Sequence, residues 1–320
     1  MTTSVVVCTY NGEQFIREQI DSILKQSIIP DEIIIVDDCS SDDTVKIVKK
    51  ISEKACDVKI DLAVNRVNVG VASNFLNAIK KANGDYIFLC DQDDIWLPNK
   101  IEIFMKYIER NQKLLYFSNG YLVDKERKRL KESLWNLMPF DIKWIEDKSV
   151  YDIMLNHSVV TGSAMAISRE LVSYVRDVDV IPKGWIHDDF LGMIAASKDS
   201  ICAINELTYE YRQHENNVIG AKRKNIVNKT KTVFINLKNN RNYHKEKFLK
   251  YSTFEPFCPE SGKEKLLDTI SFWKYICETD SSNKLKGIYY YITNKDKYNK
   301  YSTGVRAIIK DIVSLLLVKK

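Results

Sequence analysis

Four short apolar runs separated by amphipathic stretches fill the first 110 residues, and this alternation constrains the fold more than any other feature. Ser4–Thr9 (SVVVCT), Glu32–Val36 and Tyr86–Cys90 (YIFLC) are continuous runs rich in β-branched or aromatic residues, as in strands buried on both faces. Asp57–Val64 alternates like a half-buried strand. Between them, Glu13–Gln26 carries Phe15, Ile16, Gln19, Ile20, Ile23 and Leu24 on one helical stripe. Ser40–Asp43 offers capping groups ahead of Val45, Ile47 and Val48, Val71–Ala82 reads as a helix, and Pro98 opens another over Asn99–Arg110. This β-α-β-α-β-α-β order predicts an α/β fold with a mostly parallel sheet flanked by helices. Ligands of such sheets sit beyond the carboxyl ends of the strands. Three of the four predicted strands run there into polar residues: Thr9-Tyr10-Asn11, Asp37-Asp38 and Asp91-Gln92-Asp93-Asp94.

Residues 113–212 read as α+β. Strands are expected near Leu114–Ser118, Val159–Ile167 and Ser200–Ile204, a charged turn at Asp124–Lys131, a loop with Trp135 and Trp144, and a helix over Phe190–Ser197. The character then changes. Residues 1–219 carry 26 Lys and Arg against 34 Asp and Glu, whereas residues 220–320 carry 22 against 9, so the overall net charge of +5 hides an acidic body and a basic helical C-terminal region. That region is either a solvated Lys-rich surface or a contact for polyanions or anionic lipid. Within Tyr301–Lys320, Val305, Ile308, Ile309, Ile312, Leu315 and Leu316 fall on one helical face, and Arg306, Lys310 and Ser314 mainly on the other, with Lys319-Lys320 at the end. Such a helix either packs on its domain or lies on a membrane surface.

With 45% hydrophobic and 28% charged residues, only 11 Gly and 6 Pro, the chain is neither collagen-like nor disordered. No run approaches the ~20 apolar residues of a spanning helix, and no secretory leader is expected at the N-terminus. Seven cysteines are scattered without a CxxC pair, which favours reduced thiols in a cytosolic setting over a zinc site or disulfides.

The acids carry the chemistry. Asp91 and Asp93, two apart at a strand end, can address one cation from the same side. Oxygen ligands with no nearby Cys or His select Mg²⁺ or Mn²⁺, completed by waters and phosphates; otherwise they are solvated or capping aspartates before the Pro98 helix. Asp37-Asp38 can accept from a ribose hydroxyl or a base N–H, or cap the next helix. His187-Asp188-Asp189 precedes an apolar helix, so its acids either cap that helix or supply a general base. Tyr211-Arg212-Gln213-His214 suits phosphate charge, or pairs with Glu210 or Glu215. Dinucleotide and P-loop fingerprints are absent.

Taken in order, these segments resemble the family 2 glycosyltransferases of the GT-A fold over residues 3–215. The matching motifs are Thr9–Glu13 (TYNGE), Val36–Thr44 (VDDCSSDDT), the spaced Asn68, Gly70 and Asn74, and Asp91–Trp96 (DQDDIW). Glu18–Gln26 (EQIDSILKQ), the His187-Asp188-Asp189 motif and Tyr211–Gly220 (YRQHENNVIG) are similar to the branch often assigned as rhamnosyltransferases, whose members also transfer other sugars. The resemblance implies that Thr9, Tyr10 and Asp38 contact the nucleotide with Asp37 beside them. It places Asn11, Glu13, Asn68, Gly70, Asn74, Asp91 and Gln92 around the nucleotide sugar. Asp93 becomes the main metal ligand, with Asp91 and His214 near the Mg²⁺ or Mn²⁺. Arg212 and His214 approach the diphosphate. Asp188 aligns with the catalytic acid, with Asp189 its close competitor, although many relatives have Glu-Asp where this chain has His187-Asp188.

The implied activity is an inverting transfer of rhamnose, or of galactose or glucose, from dTDP-rhamnose or a UDP-hexose to a glycan hydroxyl. The acceptor would be lipid-linked, and the protein peripheral on an anionic membrane surface with no nucleic-acid partner. A competing reading is a phospho-accepting receiver domain, which Ile33–Asp38 and a later strand ending in Asp91 also resemble. The extra strand and helix before Ile33 and the acids at 91, 93 and 94 weigh against it.

Overall fold

The computed structural model describes residues 1–138, 140–214, 240–281, 284–302 and 305–317. Along the chain come β1 (Thr3–Thr9), α1 (Ile16–Leu24), β2 (Glu32–Asp37), α2 (Thr44–Ser52), β3 (Lys59–Val64), α3 (Val71–Ile79), β4 (Tyr86–Asp91), β5 (Ile95–Trp96), α4 (Lys100–Asn111), β6 (Leu115–Val123), β7 (Arg129–Ser133), β8 (Met165–Ser168) and β9 (Ile201–Arg212). The apolar runs become central strands because helices cover both faces. Val5, Val7, Ile33, Ile35, Phe88 and Cys90 share one core with Ile16, Ile20 and Ile23 of α1, Val48 and Ile51 of α2, and Ile101, Phe104 and Ile108 of α4. On the other face α3 packs on β1 and β2, and Val6, Ile34 and Leu89 are buried as well. Each such side chain contributes about 1.5–3 kcal/mol of burial.

The strands form one sheet in the order β3-β2-β1-β4-β8-β6-β9-β5, with β7 hydrogen-bonded to β6. β1, β2, β3 and β4 pair in parallel, with Thr9 level with Asp37 and Cys8 level with Asp91, so the three polar strand ends share one edge. The other half is mixed: β6 and β9 pair in parallel, whereas β8 is antiparallel to β4 and β6, and β5 is antiparallel to β9. The strand expected over Val159–Ile167 is reduced to β8, because Gly162–Ala164 forms a 3₁₀ turn whose backbone bonds to side chains instead of a neighbouring strand. β6 and β9 run longer than expected. The expected Phe190 helix begins at His187.

The chain divides into two units. Met1–Val150, Ser158–Ile181 and the chain from Ile186 through β9 make up the first; Tyr151–His157, Pro182–Trp185 and the C-terminal helices make up the second. These helices are Asn240–Phe254, Glu260–Ser281, Lys284–Thr293, Lys295–Tyr301 and Val305–Leu317. Their core is aromatic: Tyr251, Phe254, Phe272, Trp273, Tyr291 and Tyr298 are buried. In the terminal helix Ile308 is buried as its pattern suggests, but the buried face also takes in polar residues. Asp311 and Ser314 are buried while Ile309 is 57% exposed. Asp311 accepts from Tyr298 Oη at 2.8 Å and pairs with His244 Nε2 at 3.2 Å, satisfying the buried acid. The side chains of Val305, Arg306, Leu315 and Leu316, together with Lys319-Lys320 and Glu215–Gly220 of the YRQHENNVIG motif, lie outside the described residues. Among the described residues no helix is long and apolar enough to cross a membrane, and none of the cysteines forms a disulfide.

Candidate active site

At the ends of β1 and β2, Thr9 Oγ1 donates to Asp37 Oδ2 at 2.7 Å, and Ser40 adds N–H and O–H bonds of 2.8 and 2.6 Å to the same carboxylate. Asp37 is fully buried, so these donors stand in for lost water. Asp38 is enclosed in the same way: Asn65 Nδ2 and Val69 N reach Oδ1 at 2.8 and 2.9 Å, and Gly70 N reaches Oδ2 at 2.8 Å. Gly70 has φ +83°, a left-handed conformation that favours glycine. Asn68 Nδ2 bonds the Asp38 carbonyl at 3.2 Å. Asn74, 1% exposed, donates to Val36 O at 2.9 Å and accepts from Asn65 at 2.9 Å. Asn68, Gly70 and Asn74 are thus gathered around Asp38, where they fasten the loop after β3 to the end of β2.

Tyr10 is 49% exposed. Its backbone N–H and C=O are both bridged by the Gln92 amide, at 2.9 and 3.0 Å, and a side chain at Gly12 would overlap that amide. Asn11, at φ +47°, donates N–H to Ser40 Oγ at 2.8 Å and accepts from Ser41 N at 2.9 Å; Glu13 Oε2 accepts from Asp43 N at 2.9 Å. Asn11 and Glu13 therefore shape the turns beside the site, and the Tyr10 ring remains open for a ligand.

The acidic turn is organised differently. Asp93 Oδ2 lies 2.8 Å from His214 Nε2, whose ring stacks on Phe15 at 4.7 Å. Arg212 is buried, with Nε on Asp93 O at 2.9 Å, Nη1 on Lys125 O at 2.7 Å and Nη2 on Glu18. Its backbone N–H donates to Asp94 Oδ1 at 3.0 Å. Arg212 thus acts here as a scaffold, and a diphosphate contact would require exchanging these bonds. Burial, reinforced by Asp93 and Asp188, pushes Asp91 up to about 8, and burial with Asp93 and Asp91 also pushes Asp94 up. Opposing them is a fully buried cation absent from the sequence-based set. Lys100 donates to Ser163 O at 2.7 Å, and burial brings its ammonium down to about 8 against the pull of Cys90, Asp94 and Asp91. The signal for it was its place on the i, i+4, i+8 face with Phe104 and Ile108.

Asp188 and Asp189 open the His187–Ser197 helix and are 7% and 5% exposed. Asp188 Oδ1 accepts from Asp189 N at 2.7 Å and Oδ2 from Gly162 N at 3.0 Å; Asp189 Oδ1 accepts from Ser158 Oγ. Burial, then the neighbouring Asp189 charge, pushes Asp188 up to about 7, the range of a general base at neutral pH. Its neighbour His187 stacks on Phe75 at 4.0 Å, with neither ring nitrogen hydrogen-bonded among the described residues, and burial pushes it down to about 3.

Among the described residues no group of three or more His, Cys, Asp and Glu forms a ready-made metal cage. The donor set nevertheless fits a hard divalent ion. Asp91 and Asp93 sit on one turn and repel each other's charge, and Mg²⁺ sites commonly use one or two carboxylates with waters and substrate phosphates.

Strand-end acids line one edge of the parallel sheet, where ligands of such sheets sit, and the class of the protein follows from its family. Residues 4–175 match the family described as Glycosyl transferase family 2, and the chain belongs to that family. The dTDP-rhamnosyl transferase RfbG of Shigella flexneri is 30% identical over 285 residues, 84% of this chain and 93% of that protein. Two solved structures share the fold. S. aureus TarS 1-349, in complex with UDP-GlcNAc, has 17% identity and a TM-score of 0.57, covering 98% of this chain and 82% of that one. The mannosyltransferase PcManGT of Pyrobaculum calidifontis, in complex with GDP-Man and Mn²⁺, has 16% identity and a TM-score of 0.51, covering 99% and 88%.

Proposed function

We propose that this glycosyltransferase moves rhamnose from a deoxythymidine diphosphate donor to a glycan hydroxyl, with inversion and with a divalent cation. The donor assignment follows the likeness to a dTDP-rhamnosyl transferase along most of both chains. The single observation that carries the mechanism is the buried Asp188 carboxylate at the start of the His187–Ser197 helix, held by Gly162 N–H at 3.0 Å and by Asp189 N–H at 2.7 Å, its charge acting on Asp91. The acceptor oxygen attacks the anomeric carbon, the bond from that carbon to the diphosphate oxygen breaks, the hydroxyl proton passes to Asp188, and the nucleoside diphosphate departs. One displacement inverts the centre and needs no carboxylate nucleophile. Thr9, Asp37 and Asp38 would hold the nucleotide side, with the Tyr10 ring against it. Asp93 and Asp91, with His214 beside Asp93, would hold a Mg²⁺ or Mn²⁺ that offsets charge on the leaving diphosphate. Asp189, bonded to Ser158, is the alternative base.

The acceptor is read as lipid-linked and the protein as peripheral, on the excess of 22 basic over 9 acidic residues in 220–320. The buried Asp311 and Ser314 give the terminal helix a packed role of its own. Flotation with anionic liposomes at low salt checks this reading, and a protein that stays in the soluble fraction removes it. For the reaction, dTDP-rhamnose, UDP-galactose and UDP-glucose are supplied with Mn²⁺ and a lipid extract, and released nucleoside diphosphate is measured for wild type, Asp93→Ala and Asp188→Asn. Rhamnose consumption by wild type and by neither variant is expected. Turnover of a UDP-hexose instead would replace the donor, and equal turnover in Asp188→Asn would remove the base.

A further inference from the structure

Lys100 is the first residue of α4, where a cation meets the unfavourable end of the helix dipole, and it is completely buried. A buried ammonium is tolerated only where the surroundings hold it. Its Nζ lies 4.4 Å from the centroid of the Trp96 ring and 4.6 Å from that of Tyr209, and donates to Ser163 O at 2.7 Å. Ser163 is the middle residue of the Gly162–Ala164 turn, and Gly162 in that turn donates its N–H to Asp188 Oδ2 at 3.0 Å. The His187 ring packs against the turn, in the space a side chain at Gly162 would need.

We propose that Lys100 is a positioning residue for the base: its buried ammonium holds the Gly162–Ala164 turn by the Ser163 carbonyl, and the turn holds the Asp188 carboxylate through Gly162 N–H. The mechanical link stands on these contacts alone, and its effect on turnover rests on the glycosyl-transfer reading. Thr9, Asp37 and Asp38 are anchored by other partners, so losing the ammonium leaves these nucleotide-side contacts in place and acts on the chemical step through the turn, although its charge also faces Asp91 and Asp94.

Lys100→Met keeps length and apolar stem without a donor, whereas Lys100→Arg keeps cation and N–H groups at greater bulk. If Lys100 only fills space, Met is the better substitute; if it positions the turn, Arg is. In Lys100→Met, kcat is expected to fall about 20-fold with donor KM within about threefold, and Lys100→Arg to recover to within about fivefold of wild type. Amide exchange read by mass spectrometry is expected to be about tenfold faster for a peptide over residues 159–166 in Lys100→Met, with peptides over 3–9 and 86–90 unchanged. Should Lys100→Met fail to unfold cooperatively, Lys100→Gln, which is neutral and too short to span the gap, is read in its place for the same effects. Unchanged exchange over 159–166, or a ranking with Met above Arg, overturns the proposal. If wild type consumes no nucleotide sugar, the glycosyl-transfer reading fails by itself, and the exchange measurement still decides whether Lys100 holds the turn.

Discussion

Two sets of acids face the same sheet edge and the fold treats them in opposite ways. Asp37 and Asp38 each collect three N–H or O–H donors from their own chain, two of those on Asp38 being backbone amides of the loop after β3. Asp91, Asp94 and Asp188 are instead pushed up by burial and by neighbouring carboxylates, with Lys100 as a buried counter-charge to the first two. Acids that shape turns are matched by donors the chain brings with it. The crowded acids have fewer such donors, and perturbed groups of this kind concentrate where chemistry happens.

The largest break in that comparison is Asp188→Asn. Removing a general base lowers kcat by about 10²–10⁴-fold, and the isosteric amide leaves the fold intact. In wild type the base works as the carboxylate, so kcat/KM should rise with pH through about 7 and fall away below it. A pH–rate profile checks this, and a flat profile from pH 5.5 to 8.5 would assign the proton transfer to another group.

Next in size is a pair of substitutions with opposite signs. Asp38→Ala strands three N–H donors around the end of β2 and should cost about 2–4 kcal/mol of stability by denaturant titration. Asp94→Asn keeps an acceptor for Arg212 N and removes a crowded charge. Once wild-type Asp94 is ionised, above its raised value, the variant should gain stability on the order of 1 kcal/mol. Because the folded Asp94 is raised above its ordinary value of 3.8, its contribution is complete below 3.8 and is lost as pH rises through the raised value. Asparagine has no such loss, so the gap between variant and wild type should open with increasing pH. If Asp94→Asn were as damaging as Asp38→Ala, the two regions would not differ in kind.

The parallel half of the sheet and the strand-end acids were legible because both follow from one-dimensional pattern: apolar runs of strand length, each ending in a polar cluster. What escaped depends on partners far along the chain. Lys100 reads as the polar start of a helix, yet the i, i+4, i+8 spacing with Phe104 and Ile108 puts it on the buried face, where the Ser163 carbonyl 63 residues away, the Trp96 and Tyr209 rings and the nearby Asp91 and Asp94 account for a cation. The same carbonyl, with Gly162 N–H committed to Asp188, shortens the strand expected over Val159–Ile167. Arg212 looked like a phosphate fork, but Glu18 in α1 and two backbone carbonyls already use its donors. Asn68, Gly70 and Asn74 are gathered at the end of β2, and their visible bonds brace Asp38 and Val36.

The smallest expected effect concerns His187, which belongs to neither set of acids although it precedes one of them in sequence. Stacked on Phe75 with no hydrogen bond to either nitrogen among the described residues, it is held neutral, its value pushed down to about 3 by burial. A histidine depressed in the fold gives its full contribution above the ordinary value of 6.5 and loses it as pH falls from there toward 3, at up to about 1.4 kcal/mol per pH unit. Leucine retains contact with Phe75 and has nothing to protonate. His187→Leu should therefore lie within about 1 kcal/mol of wild type at pH 7.5 and exceed it by about 1–2 kcal/mol at pH 5. The thermal midpoints of the two proteins at those two pH values decide it. A gap that does not change with pH would mean that the imidazole can take a proton in the fold, which would join it to the carboxylates of Asp188 and Asp189 and extend the crowded set by one cation.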